Sequence, residues 1–424
     1  MSIFGSSGIR QIADERLLDL ALKVGLVLGA NYPSVVVARD TRNSSEALKN
    51  ALAAGMAFSG AQTHDAGVAP TPTLAYAARE FGLGAMITAS HNPPEYNGLK
   101  LFNPDGSAFD SEQRQKLEAA LTQGNIKSVT WDKMGVVSTF SHAVRNHVEA
   151  IVSSVRVKAA LKVVVDCGGG AACRVTPGLL TALGCEAIPL NCDPTGFFPR
   201  PSEPSPENLA VLKDKVVASG ADLGLAHDGD ADRVVAVDHK GRFVSGDKLI
   251  AIMAHQIQAK KLFINIDSSM VIEEQGFEVI RTRVGDAYIS EELKKGGDFG
   301  GEPAGAFIFP RMSLCPDGIL GAALIVQAAS RRPLAEWADG IPEYPIVRGA
   351  VKGAADRMPA IEARLSAMNP SSINKIDGLR LTFTGGWLLV RPSGTEPKIR
   401  ITAEAKTRQR AEELFQRGCQ AATP

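Results

Sequence analysis

The run Leu161-Lys162-Val163-Val164-Val165-Asp166 holds three consecutive valines between a lysine and an aspartate. β-Branched residues favour extended backbone, and so short an apolar run reads as a buried strand. Glycines 168–170 follow, then a helical window to about Leu183. The same order recurs on both sides. SVVVARD at 34–40 reads as a strand and leads into a helix from about Ser44 to Phe58. Residues 85–89 form a further strand ending at a polar loop. A helix over 207–218 leads to a strand at 222–226, with another at 234–237. A helix at 247–258 precedes a strand at 262–266, and a helix–strand pair falls near 286–300. This alternation specifies α/β layers with mixed, mostly parallel sheets.

Near Ile341 the rhythm changes. A helix at 353–367 is followed by strands at 379–384, 388–391 and 399–405 and a last helix from about Arg408. Short turns such as Thr384-Gly385-Gly386 point to antiparallel pairing in a smaller α+β unit. Proline-rich FPRPSEPSP at 198–206 lies between a strand and a helix, so it reads as an ordered crossover inside a domain.

Composition excludes several classes. At 424 residues the chain is long enough for about two to four domains. Lys+Arg and Asp+Glu are both 46, so no excess positive charge favours nucleic acid or a membrane surface. No apolar stretch approaches the length of a membrane span, and no signal peptide is visible at MSIFGSSGIR. Six cysteines without a CxxC pair fit a reduced, cytoplasmic protein. The 41 glycines are numerous, and many lie in polar loops.

Four loops carry candidate chemistry. In Thr88-Ala89-Ser90-His91-Asn92-Pro93, Ser90 is a candidate nucleophile or phosphate carrier, or else part of a polar turn. On an extended backbone the neighbouring Ser90 and His91 side chains diverge, so no local dyad is expected. Lys100 in Asn97-Gly98-Leu99-Lys100 serves as a general acid or base if a pocket lowers its pKa; otherwise it is a solvated lysine. In Asp228-Gly229-Asp230-Ala231-Asp232-Arg233, three carboxylates at alternate positions converge if the loop curls around a hard cation such as Mg²⁺. An EF-hand is excluded, because its sixth position is Arg233 and its twelfth His239. Arg233 would then sit beside the metal and hold a phosphate bidentately.

Glu302, in Gly301-Glu302-Pro303-Ala304-Gly305, suits hydrogen bonds from ligand hydroxyls, although alone it reads as a turn. Arg391-Pro392-Ser393-Gly394-Thr395-Glu396-Pro397, with Lys398 and Arg400, is either a phosphate cradle or a decorated turn. Glycines 168–170 lack the dinucleotide fingerprint, because its third position falls on Cys173.

In this order, the loops resemble the α-D-phosphohexomutase family. The resemblance starts at Phe4-Gly5-Ser6-Ser7-Gly8-Ile9-Arg10 and covers essentially the whole chain. It implies four domains around a central cleft, at 1–140, 141–243, 244–340 and 341–424, the first three sharing one architecture. It implies that Ser90 carries the transferred phosphoryl group, and that Asp228, Asp230 and Asp232 bind Mg²⁺ with an oxygen of phosphorylated Ser90. Arg10, His91, Lys100 and Arg233 would line the reacting phosphate. Glu302 would bind sugar hydroxyls. Arg391, Ser393, Gly394, Thr395 and Arg400 would hold the substrate's other phosphate.

The implied activity interconverts sugar 1- and 6-phosphates through a sugar 1,6-bisphosphate that also serves as activator. Gly285-Asp286-Ala287-Tyr288 and RPSGTEP resemble the phosphoglucosamine branch, and EPAG resembles archaeal-type members. Where the family usually has GExSGH, this chain has Ala304 and Ala306, so mannose, glucose and pentose phosphates stay open. A Mg²⁺ phosphatase and a non-catalytic phosphosugar binder are the alternatives of other classes. The expected partner is a small phosphosugar, with no nucleic acid or membrane; monomer and homodimer are both open.

Overall fold

The computed structural model describes residues 3–5, 8–124, 128–353, 355–393 and 397–423. Four sheets follow one another along the chain. The first comprises β1 (Ile9–Ile12), β2 (Ser34–Arg39), β3 (Gln62–Val68), β4 (Leu83–Ile87), β5 (Tyr96–Phe102) and β6 (Val137–Thr139), in the order β1-β5-β4-β2-β3-β6. Its β4–β2, β2–β3 and β3–β6 pairings are parallel, and β5 and β1 extend one edge antiparallel. The second comprises β7 (Lys162–Asp166), β8 (Glu186–Leu190), β9 (Leu223–His227), β10 (Val234–Asp238) and β11 (Phe243–Val244), in the order β11-β10-β9-β7-β8. Parallel and antiparallel pairings are equally frequent there.

The third sheet, ordered β13-β12-β14-β15, comprises β12 (Lys261–Asn265), β13 (Glu278–Thr282), β14 (Phe299–Gly301) and β15 (Phe307–Ile308). Its β12 pairings are parallel and its β14–β15 edge antiparallel. The fourth comprises β16 (Ile346–Lys352), β17 (Ser372–Asn374), β18 (Leu379–Phe383), β19 (Gly386–Pro392) and β20 (Lys398–Ala405). It is antiparallel throughout, in the order β16-β20-β19-β18-β17.

Packing welds the two middle units together. One apolar cluster runs from Ile151 to Ile341 and includes residues of both the second and third sheets. At its centre the helix Gly318–Ala329 is buried on every face, as its uniformly apolar GILGAALIVQAA sequence requires. Asp317 caps this helix by accepting from the Ile319 and Leu320 amides, a cap worth about 1 kcal/mol. The last sheet has its own core, built from Leu381, Leu388, Val390, Ile401 and Leu414 among others.

Two expectations shift. The helix placed at 353–367 starts later: β16 continues to Lys352, and the helix is Met358–Ser366. Pro359 fixes that start, since proline suits only the first helical turn. Asn97 to Lys100 lie on β5 inside the sheet rather than on a loop.

Candidate active site

Three of the candidate loops leave the carboxyl ends of strands: β4 runs into Thr88 to Ser90, β9 into Asp228, and β14 into Glu302. Ligands bind at this end of α/β sheets. Ser90 is buried and takes φ of 51°, a left-handed conformation uncommon outside glycine. Its amide donates to Thr88 Oγ1 (2.9 Å), whose own hydroxyl donates to Asp40 Oδ2 (2.8 Å). Arg42, fully buried against Asp40, donates to the carbonyls of Ser90, Asn92, Pro93 and Tyr96 at 2.6–2.9 Å. One guanidinium thus fixes the loop's backbone from beneath, a positioning role that the sequence did not assign.

The left-handed turn also corrects the expectation for His91. Ser90 Oγ lies 3.3 Å from His91 Nδ1, because the backbone between them is not extended. Burial, with Arg233, Arg10 and Lys100 nearby, pushes His91 down to about 3, so the ring is neutral near pH 7.

Ser90 Oγ donates to Asp228 Oδ2 at 2.8 Å, joining the first two loops. Close backbone packing permits this. A Cβ on Gly229 would lie 2.6 Å from Ser90 O, and one on Gly170 would lie 2.5 Å from Gly229 O. The Ala171 amide donates to Gly229 O at 2.9 Å. The glycine run that failed the dinucleotide test therefore buttresses the acidic loop.

Asp228, Asp230 and Asp232 are buried, and each offers one oxygen within 4.8 Å of the others. Lys100 Nζ donates to Asp230 Oδ2 (2.6 Å) and Asp232 Oδ2 (2.5 Å). Burial opposes the ammonium, but the two carboxylates outweigh it and hold Lys100 above its ordinary value. This reverses the condition set for Lys100: the pocket raises its pKa, so it is a fixed hydrogen-bonding cation rather than a general acid or base. Burial, then Asp232 and Asp230, push Asp228 well above the usual carboxylate range.

Asp230 Oδ1 and Asp232 Oδ1 are buried without any hydrogen-bond partner. Orphaned, converging carboxylate oxygens are what a hard divalent cation would satisfy, so the donor set fits Mg²⁺.

Arg10 Nη1 donates to Asn92 Oδ1 at 3.3 Å, placing Arg10 beside the Ser90 loop. Arg233 follows the acidic loop, and its Nη1 donates to both oxygens of Glu203 at 2.7 and 2.8 Å. Glu203 comes from the proline-rich crossover and also approaches His91 at 3.6 Å. Its only sequence signal was a lone acid between prolines.

Glu302, Arg233, Asn265, Asp267, Asp286 and Arg348 are among the residues lining a cavity of about 290 Å³. Arg348, on β16, brings the last domain to this wall. The Ala306 backbone bridges to Arg233, and its side chain is buried. Glu302 Oε1 accepts from the Gly285 amide (2.8 Å) and Asn265 Nδ2 (3.2 Å). Burial, then Asp286, raise its pKa to about 7. A raised carboxyl binds its proton more tightly folded than unfolded. Its stabilising contribution is therefore complete below about pH 4.5 and lost as pH rises to about 7. Glu302→Gln removes this loss and should gain on the order of 1–3 kcal/mol at pH 8 relative to pH 4.5. Urea unfolding of both proteins at the two pH values measures the gain.

On the last sheet, Arg391 of β19 stands directly opposite Arg400 of β20. Opposed like charges are unfavourable unless an anion arrives. Arg391 Nη1 meets Asp377 Oδ2 at 2.7 Å, and Arg400 is exposed. Ser393 Oγ is buried without a partner. Gly394 and Thr395 lie outside the described residues.

Models of the phosphoglucomutase/phosphomannomutase family match in order: alpha/beta/alpha domain I at residues 1–127, domain II at 139–241, domain III at 245–344 and the C-terminal domain at 347–420. The chain belongs to this family. Phosphoglucomutase/phosphomannomutase relatives resemble it over nearly their full length. A probable phosphoglucosamine mutase of Methanocella arvoryzae is 48% identical, over 98% of this chain and 96% of the relative. A protein of the same description from Pyrococcus horikoshii is 40% identical, over 98% and 96%. The crystal structure of a phosphoglucomutase/phosphomannomutase family protein from Burkholderia thailandensis is similar at a TM-score of 0.89, with 28% identity over 100% of this chain and 98% of that one. The four-domain architecture expected of a phosphohexomutase is thus the architecture of this chain, and it is an enzyme of that family.

Proposed function

We propose that the chain interconverts glucosamine 1-phosphate and glucosamine 6-phosphate, with Ser90 as the residue that carries the phosphoryl group. One observation carries the catalytic reading. Ser90 Oγ sits 2.8 Å from Asp228, where the aspartate trio meets Lys100, His91 and Arg10. The substrate reading is supported by relatives described as probable phosphoglucosamine mutases, 40–48% identical over almost the whole chain.

Asp228, Asp230, Asp232 and an oxygen of phosphorylated Ser90 would hold Mg²⁺, which when bound neutralises charge on the transferring phosphoryl group. The protein's part is positioning. The P–O bond to Ser90 breaks as one forms to a sugar hydroxyl oxygen, giving a bound 1,6-bisphosphate. The proton that the sugar hydroxyl loses is the one the serine oxygen gains. Lys100, held as a cation by Asp230 and Asp232, would steady the charge of the transfer, and His91 would hydrogen-bond at Ser90 Oγ. Arg10 and Arg233 flank the group in flight. The bisphosphate then turns end for end and returns its other phosphoryl group to Ser90. Glu302 must serve hydroxyls in both orientations. Arg391, Ser393, Gly394, Thr395 and Arg400 hold the phosphate that is not reacting.

A phosphate clamp used equally in ground and transition states acts on KM. Arg391→Ala should therefore raise KM for glucosamine 6-phosphate about 10- to 100-fold and change kcat much less. Steady-state kinetics check the split.

The substrate assignment is tested by a panel of glucosamine, glucose, mannose and ribose phosphates with Mg²⁺ and an activating bisphosphate. The highest kcat/KM should fall on glucosamine. A preference for another sugar contradicts the substrate reading, and release of inorganic phosphate without isomerisation contradicts the mutase reading.

A further inference from the structure

An amino sugar near neutral pH presents a positive ammonium that glucose lacks, so a discriminating enzyme needs an anion to receive it. The cavity around Glu302 also holds Asp267 and Asp286. Glu302 is already engaged, its Oε1 accepting from Gly285 and Asn265. With its pKa raised to about 7 by burial and Asp286, it carries only part of a charge at neutral pH. Asp286 opens the helix Asp286–Leu293, where the helix terminus partly neutralises it. Arg233 and Arg348 repel an ammonium and suit phosphate.

Asp267 differs from its neighbours. It lies two residues beyond the end of β12, lines the cavity, and has an oxygen, Oδ1, that is buried without a partner. A buried carboxylate oxygen without a donor is unfavourable, and a ligand N–H is the natural way to satisfy it.

We propose that Asp267 is the residue that distinguishes glucosamine from unaminated hexoses, accepting a hydrogen bond from the substrate's 2-ammonium group. The proposal rests on the glucosamine reading above. Burial raises the Asp267 carboxyl, Arg391 and Arg348 oppose that rise, and an arriving ammonium would oppose it further. Charge-assisted hydrogen bonds are the stronger kind, and a site built for one rejects the analogue that lacks it.

The test is Asp267→Asn and Asp267→Glu beside wild type, each assayed with glucosamine 6-phosphate and glucose 6-phosphate. In D267N, kcat/KM for the glucosamine substrate should fall about 10- to 100-fold, while that for glucose changes less than about 3-fold. D267E should retain a preference for glucosamine. Equal losses on both substrates in D267N, with D267E behaving alike, would mark Asp267 as merely structural and overturn the assignment. So would an unchanged preference in D267N. A wild type that prefers an unaminated sugar contradicts the glucosamine reading itself, and it does so before either variant is consulted.

Discussion

Ser90→Ala is expected to abolish mutase turnover, lowering kcat by at least about 10⁴-fold. Among the described residues, the nearby hydroxyls of Thr71 and Thr88 are engaged by Asp230 and Asp40. Ser90 Oγ lies between Asp228 and His91, on a backbone that Arg42 holds through four carbonyls. A phosphoryl carrier moved by 1 Å would lose in-line alignment, so a neighbouring residue cannot substitute. The alanine variant keeps Arg391, Arg400 and Glu302 and should still bind glucosamine 6-phosphate. Calorimetry then separates lost chemistry from lost binding, and undiminished turnover would refute the role given to Ser90.

Asp228→Asn should have the next largest effect, and its two readouts should move in opposite directions. Activity should fall by about 10³-fold or more, because the trio loses a charged oxygen and Ser90 Oγ loses its anionic partner. Metal-free stability should rise by about 1–2 kcal/mol. Asp228 is buried with two other carboxylates, and burial, then Asp232 and Asp230, already drive it toward its neutral form. Lys100 satisfies one oxygen each of Asp230 and Asp232 but makes no hydrogen bond to Asp228. Urea unfolding in a chelator, paired with Mg²⁺-dependent assays, measures both effects. A variant that is less stable without metal would contradict the electrostatic account.

The order of the layers was legible because valine-rich runs such as 34–39 and 162–166 alternate with helical windows. The loops were legible because Ser90, the three aspartates and Glu302 stand just beyond strand ends. Other features depend on distant partners that periodicity does not carry. Arg42 lies 48 residues before the Ser90 carbonyl it holds. Glu203 reaches Arg233 from a crossover that looked like a spacer. The contact between Ser90 and His91 needed a positive φ at a serine, which no local pattern announced. Lys100 read as an acid or base only if its pKa fell. Its partners lie 130 and 132 residues away, and they raise it. The antiparallel edges, β1 on β5 and β10 on β9, were likewise masked by the α/β rhythm around them.

The central claim is that Ser90 carries the phosphoryl group. Peptide mass spectrometry of the enzyme after incubation with Mg²⁺ and glucose 1,6-bisphosphate tests it most directly. The account predicts a gain of about 80 Da on the peptide containing Ser90, and its loss on addition of glucosamine 6-phosphate. Phosphorylation elsewhere, or full turnover by an enzyme whose Ser90 peptide never gains that mass, would contradict it.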